Sequence, residues 1–132
     1  MNSYLLDSTV IIDLINNRRN RRKVIEEIAG SGGILACSVV SVAELYGGIR
    51  PKEELITAQI LGSLLQYEVT SVIARRAGYL KNALAKQGIT VLLPDAIIAA
   101  TAIENRLTLV TDNVKHFPIP DLKLYSLAPT NR

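Results

Sequence analysis

The chain has 132 residues, with 15 Lys and Arg against 12 Asp and Glu, for a formal charge of +3. That length suits one domain, 1–132, long enough to bury about 65 to 70% of its unfolded surface in a single core. No uninterrupted apolar stretch approaches the roughly 18 to 20 residues of a membrane span, and "MNSYLL" lacks the pattern of a signal peptide. A soluble, cytoplasmic protein without membrane contact is the expectation. The lone Cys37 and lone His116 leave neither an internal disulfide nor a Cys/His cluster of zinc spacing to expect.

Taken in chain order, short runs of Val, Ile and Leu alternate with segments of helical period, the pattern of an α/β fold around a mostly parallel sheet. "SYLL" reads as a first strand. "STVIIDLINN" follows as a helix with Val10, Ile11, Leu14 and Ile15 on one face and Ser8 or Thr9 as its N-cap. "RRNRRK" then gathers Arg18, Arg19, Arg21, Arg22 and Lys23, a third of all Lys and Arg; it reads either as a solvated loop and helix start or as a patch for phosphates or an acidic partner. "RKVIEEIAG" predicts a helix closed by Gly30, and "ILACSVV" a second strand. In "SVAELYGGI", Ser41 and Glu44 have the spacing of a capping box.

A helix is expected from about Pro51 to Leu65, then a strand at "YEVT" and a helix from Ser71 to about Gln87, ended by Gly88. "TVLL" is a short apolar segment leading into Pro94, and "DAIIAATAIENR" an Ala-rich helix that something packs against closely. "LTLVT" is strand-like, and "KLYSL" reads as a final edge strand. No internal repeat or low-complexity tract interrupts the chain.

Parallel sheets bind ligands beyond the carboxyl ends of their strands, at a topological switch point. Asp7 ends the first strand, Asp112 follows "LTLVT", Asp95 opens a helix after an apolar segment, and Glu44 lies one turn into the helix after the second strand. Each has a bland reading. Asp95 would favour a helix N-terminus, Glu44 would close a capping box and Asp112-Asn113 is an ordinary turn pair. Asp7, after a buried strand, is the hardest to explain that way. Should these carboxylates converge, their repulsion would raise some pKa values unless a cation neutralised them. Oxygen-only ligands suit Mg²⁺ or Mn²⁺, and such a site suits phosphodiester hydrolysis without a catalytic histidine.

The segments "YLLDSTVIIDLI", "SVVSVAELYGGIR" and "LLPDAIIAATAIENRLTLVTDNVKHF" resemble, in order, the motifs of PIN-domain ribonucleases, specifically the VapC-like toxins of type II toxin-antitoxin pairs. The resemblance implies a three-layer α/β/α sandwich and a Mg²⁺- or Mn²⁺-dependent endoribonuclease. It also implies a homodimer neutralised by a cognate antitoxin, with RNA as substrate. Asp7, Glu44 and Asp95 match the first three acidic positions. Asp112 is the nearest match to the fourth, although in such proteins that acid sometimes falls where Asn113 or His116 stands, and the Asn113 amide oxygen is an alternative ligand. Ser8, Thr9 and Thr111 match hydroxyl positions lining the site. Asp13 reads as structural or surface, His116 as a packed or turn residue, and Cys37 as core.

Two other functions fit parts of the sequence. An aspartyl-phosphate phosphatase or phosphotransferase would use Asp7 as nucleophile, but many need a second acid two residues on, where Thr9 stands. A non-catalytic interaction module would bind nucleic acid or an acidic protein through "RRNRRK". G-x-S-x-G and G-x-x-x-x-G-K-[ST] are both missing, which argues against a serine hydrolase and a P-loop nucleotidase.

Overall fold

The computed structural model describes residues 2–127. Strand β1 (Ser3–Leu6) runs directly into α1 (Ser8–Ile15), and α2 (Arg21–Gly30) leads to β2 (Ile34–Ser38) and α3 (Val39–Gly47). A 3-10 turn at Pro51–Glu53 precedes α4 (Glu54–Gly62), β3 (Leu65–Tyr67), α5 (Ser71–Ala85) and α6 (Leu93–Glu104). Strand β4 (Thr108–Thr111), a second 3-10 turn at Val114–His116 and β5 (Leu124–Ser126) complete the order. All neighbouring strands are parallel, in the order β3-β2-β1-β4-β5.

Alternate side chains of the three inner strands enter opposite layers. Leu5, Ala36 and Leu109 pack with Ile73, Ala77, Ile98 and Ala99 of α5 and α6. Leu6, Cys37 and Val110 pack with Val10, Ile11, Leu14, Ile25 and Leu61 of α1, α2 and α4. This is the expected α/β/α sandwich. The alanines of α6 permit its close approach to sheet and α5, as the Ala-rich sequence implied.

The chain steps outward from β1 to β2 and β3, then returns to the other side of β1 to form β4. The switch point therefore lies between β1 and β4, at their carboxyl ends. There the Asp7 amide donates to the Val110 carbonyl at 3.0 Å, extending the ladder by one bond.

Several boundaries differ from expectation. The α1 N-cap is Asp7 itself, so the helix starts at Ser8 with no break for a capping hydroxyl. Val39 and Val40 belong to α3 rather than β2, because the Ser38 hydroxyl accepts from the Val40 amide and starts the helix early. Ser41 is consequently inside the helix, and no capping box with Glu44 exists. Strand β3 lies at Leu65–Tyr67 rather than "YEVT", paired with Ala36 to Ser38. The α5 cap is Thr70, whose hydroxyl accepts from the Ile73 amide. Gly30 ends α2 within helical geometry; Gly32, at φ 91°, makes the left-handed turn instead.

Cys37 is fully buried in β2, and burial pushes its thiol up to about 11. A pKa raised above the solution pH keeps the sulfur protonated and a poor nucleophile. The native protein is expected to resist iodoacetamide at pH 8 and to be labelled once unfolded in guanidinium. Rapid stoichiometric labelling of the native protein, read by mass spectrometry, would contradict this core placement.

Candidate functional site

The strand-to-helix junction fixes Asp7. Its backbone is extended, with φ −64° and ψ 151°, its carbonyl accepts from the Val10 and Ile11 amides, and the residue is only 4% exposed. Thr111, the buried last residue of neighbouring β4, donates its hydroxyl to Asp7 Oδ2 at 2.8 Å. Exposed Thr9 donates to the same oxygen at 3.3 Å. The Asn113 backbone amide in turn donates to Thr111 Oγ1 at 2.9 Å, so an amide and a hydroxyl form a relay ending on the carboxylate. Burial raises the Asp7 carboxyl above the usual carboxylate range, the hydrogen bonds from Thr111, the Ser8 amide and Thr9 oppose the rise, and the charge of Asp112 adds to it.

Glu44 is positioned from the other side. Ser8 Oγ donates to Glu44 Oε1 at 2.6 Å and lies 2.7 Å from Ser41 Oγ. With its single proton committed to Glu44, Ser8 must accept from Ser41. The two serines tie the start of α1 to α3 and hold an exposed carboxylate beside a buried hydroxyl pair. Ser41, read from sequence as a cap, is thus part of the site's support.

Asp95 is in the first turn of α6, after Pro94, half-buried in a cleft that also contains Val91, Leu92, Lys115 and His116. No hydrogen-bond donor reaches it among the described residues. Burial raises its carboxyl first, the charges of Asp7 and Glu44 raise it further, and His116 opposes them. Residues from α1's start, α3 and α6 therefore share one electrostatic neighbourhood. His116 is exposed in the 3-10 turn, while its neighbour Phe117 is the packed residue.

Asp112 has a different environment. Both Arg21 Nη2, at 2.8 Å, and Arg19 Nη1, at 3.1 Å, donate to its Oδ2. Arg21 is 3% exposed and its Nε also lies 3.5 Å from Asp13 Oδ2. Asp13 is buried and structural, not a surface acid. Two members of the basic run thus neutralise internal acids, leaving Arg18, Arg22 and Lys23 exposed. The signal for this was readable: Asp13 falls three residues after Val10, on the apolar side of α1, and a buried acid requires a cation.

Among the described residues, no three Asp, Glu, His or Cys side chains already stand close enough to hold an ion together. The chemistry of the set nevertheless fits a divalent cation, with oxygen donors only and two carboxyls whose charge burial disfavours.

The family model for the PIN domain matches residues 4–119. The chain belongs to the PIN-domain family. Among its PIN-domain relatives, Ribonuclease VapC10 of Mycobacterium tuberculosis is 44% identical over 91 residues, 69% of this chain and 68% of that protein. Ribonuclease VapC19 of the same organism is 31% identical over 120 residues, covering 90% of this chain and 96% of the relative. In structure, the VapBC2 complex of Rickettsia felis bound to a promoter DNA fragment matches with a TM-score of 0.82 at 28% identity, over 96% of this chain and 99% of the matched one. VapBC-1 of nontypeable Haemophilus influenzae gives 0.79 at 28% identity, over 94% and 97%. This PIN domain has the five-stranded parallel sheet and flanking helices expected of it.

The raised Asp7 carboxyl sets a sign for stability. A folded-state pKa above the unfolded value of about 3.9 means that the native state binds more protons, so the ionised group destabilises the metal-free fold above that range. Asp7→Asn removes the charge and keeps an acceptor for Thr111. It is expected to melt above wild type at pH 7 without added metal, with the gap closing as pH falls towards about 4. A lower melting temperature for the variant at pH 7, by circular dichroism, would contradict it.

Proposed function

We propose that this PIN domain is a metal-dependent endoribonuclease of the VapC kind, the toxin of a toxin-antitoxin pair. The observation that carries the reading is the buried Asp7 carboxylate, placed at the switch point of the sheet within the electrostatic reach of Asp112 and Asp95, the latter also influenced by Glu44. Divalent-metal dependence is general to PIN-domain VapC nucleases, which leaves the ion itself to assign. Asp7, Glu44 and Asp95 would hold Mg²⁺ or Mn²⁺, with Asp112 as the fourth carboxylate. Such an ion supplies a lower pKa for bound water and polarises a phosphoryl oxygen.

The side chains of the chain itself do the rest. Thr111 and Thr9 orient Asp7 through Oδ2, Asn113 orients Thr111 through its backbone amide, and Ser8 orients Glu44. Lys115 and His116, in the cleft beside Asp95, offer donors for RNA phosphates. A phosphate-accepting Asp7 nucleophile has less support, since the residue two positions on is a threonine that donates to Asp7 rather than an acid.

The partners follow from the same reading. Two of the matched structures are VapBC complexes, one of them bound to a promoter DNA fragment. For this chain we infer RNA as substrate, a cognate antitoxin, a second copy of the chain and a cytoplasmic setting. Among the described residues no helix is long and apolar enough to cross a membrane. Ile12, Tyr46, Leu55, Val72, Tyr79 and Leu92 are exposed apolar side chains that protein partners would cover. The whole chain, 1–132, is read as one domain.

Purified protein is expected to cleave structured RNA with Mn²⁺ or Mg²⁺ and to stop in excess chelator. Asp7→Asn should lower the rate by about 100-fold or more, given that even residues behind metal ligands are worth roughly 10- to 100-fold. Cleavage that persists unchanged in the variant or in chelator would overturn the proposal.

A further inference from the structure

We propose that Arg21 is a positioning residue that orients Asp112 towards the divalent cation through a buried Asp13-Arg21-Asp112 bridge. This inference rests on the metal-dependent reading above. The guanidinium lies between the two carboxylates: Nη2 is 2.8 Å from Asp112 Oδ2 and Nε is 3.5 Å from Asp13 Oδ2, with the side chain almost fully enclosed. Nε has no hydrogen-bond partner among the described residues, so the Asp13 contact is ionic rather than a directed bond. The directed bond goes to Asp112.

The bridge has a geometry suited to orientation rather than simple neutralisation. Arg19 and Arg21 both take the same oxygen, Oδ2 of Asp112. Among the described residues no donor reaches Oδ1, which leaves that oxygen available to a cation while its partner is tethered. Asp112 still influences Asp7 electrostatically, so the tether does not remove it from the acidic rim.

The backbone around the bridge is built to hold it. Asn17, Arg19 and Asn20 have φ of 53°, 56° and 58°, three left-handed residues in a four-residue stretch. Asparagine tolerates that region and arginine does so rarely. The Arg18 amide donates to the Asp13 carbonyl at 2.8 Å and the Arg21 amide to the Arg18 carbonyl at 3.2 Å, folding the loop back onto the end of α1. Asp13 thus anchors the loop by backbone and side chain together. The arrangement links α1, which starts at Asp7, to the segment after β4, which carries Asp112.

Orientation and charge predict opposite signs. Removing a cation beside an acidic metal site should tighten Mn²⁺ binding if Arg21 acts only through its field, and weaken it if Arg21 aims Asp112. Mn²⁺ titrations of the full chain by electron paramagnetic resonance would compare wild type, Arg21→Gln, Asp112→Asn and the double variant, with Arg21→Lys as the conservative replacement. Arg21→Gln should weaken Mn²⁺ binding by roughly 10- to 100-fold, Arg21→Lys less, and Arg21→Gln should have no further effect once Asp112 is Asn.

Tighter or unchanged binding in Arg21→Gln, or an equal loss in the Asp112→Asn background, would overturn the proposal. Should Arg21→Gln fail to fold, as read by circular dichroism, the same comparison is made with Arg21→Lys, which retains the buried charge. Wild-type protein that binds no Mn²⁺ would remove the metal reading and this inference together. Binding that Asp7→Asn abolishes but Arg21 does not influence through Asp112 would remove this inference alone.

Discussion

A carboxylate at the end of a central parallel strand has almost nowhere to place its charge. Asp7 is enclosed by β4 and the start of α1, held through Oδ2 by Thr111 and Thr9, and lies within reach of the charge of Asp112. Its hydrogen bonds lower the energetic penalty without cancelling it, because burial still dominates. The neighbouring structure can be understood as the means of tolerating that group. Ladder pairing fixes its backbone, the α1 N-terminus presents amides close by, and its charge acts on Asp95 as that of Asp112 acts on it.

The surrounding pairs divide into two kinds. Arg21 and Arg19 pair with Asp112 and Asp13 from within the chain. Among the described residues Asp95 has no such partner, and Glu44 has only the Ser8 hydroxyl on one oxygen. Breaking a buried ion pair by removing one side leaves an uncompensated charge, at a cost of about 3 to 5 kcal/mol. The arginine cluster therefore provides rigidity, while Asp95 and one oxygen each of Glu44 and Asp112 are left without a donor among the described residues.

Much of this was legible in the sequence. Periodicity marked β1 to the residue and, through their strong patterns, the apolar face of α1 and the Ala-rich α6, although α1 ends at Ile15, two residues short of the expected end, and α6 runs from Leu93 to Glu104, two residues ahead of the expected span. The boundaries that shifted were set by caps that compete with their neighbours: Ser38 won over Ser41 and Thr70 over Ser71, as one hydroxyl reached a free helix amide first. Strand β3 was displaced because its pairing with Ala36 to Ser38, not its own β-propensity, determines its register. The candidate acids Asp7, Glu44, Asp95 and Asp112 could be named from their places at strand and helix ends. What the linear order could not convey was that Ser41 faces Ser8, or that the basic run folds back onto Asp13 and Asp112. Both depend on contacts between distant residues, 33 apart for the serines and 91 apart for Arg21 and Asp112.

The central claim is that the rim exists to hold a divalent cation between Asp7, Glu44 and Asp95. Anomalous diffraction from crystals grown with Mn²⁺ tests it most directly, since the signal locates the metal independently of activity. The account predicts a manganese peak bounded by those three carboxylates, lost in Asp7→Asn crystals grown under the same conditions. A manganese peak only elsewhere on the protein, or an undiminished peak at the rim in the variant, would contradict it.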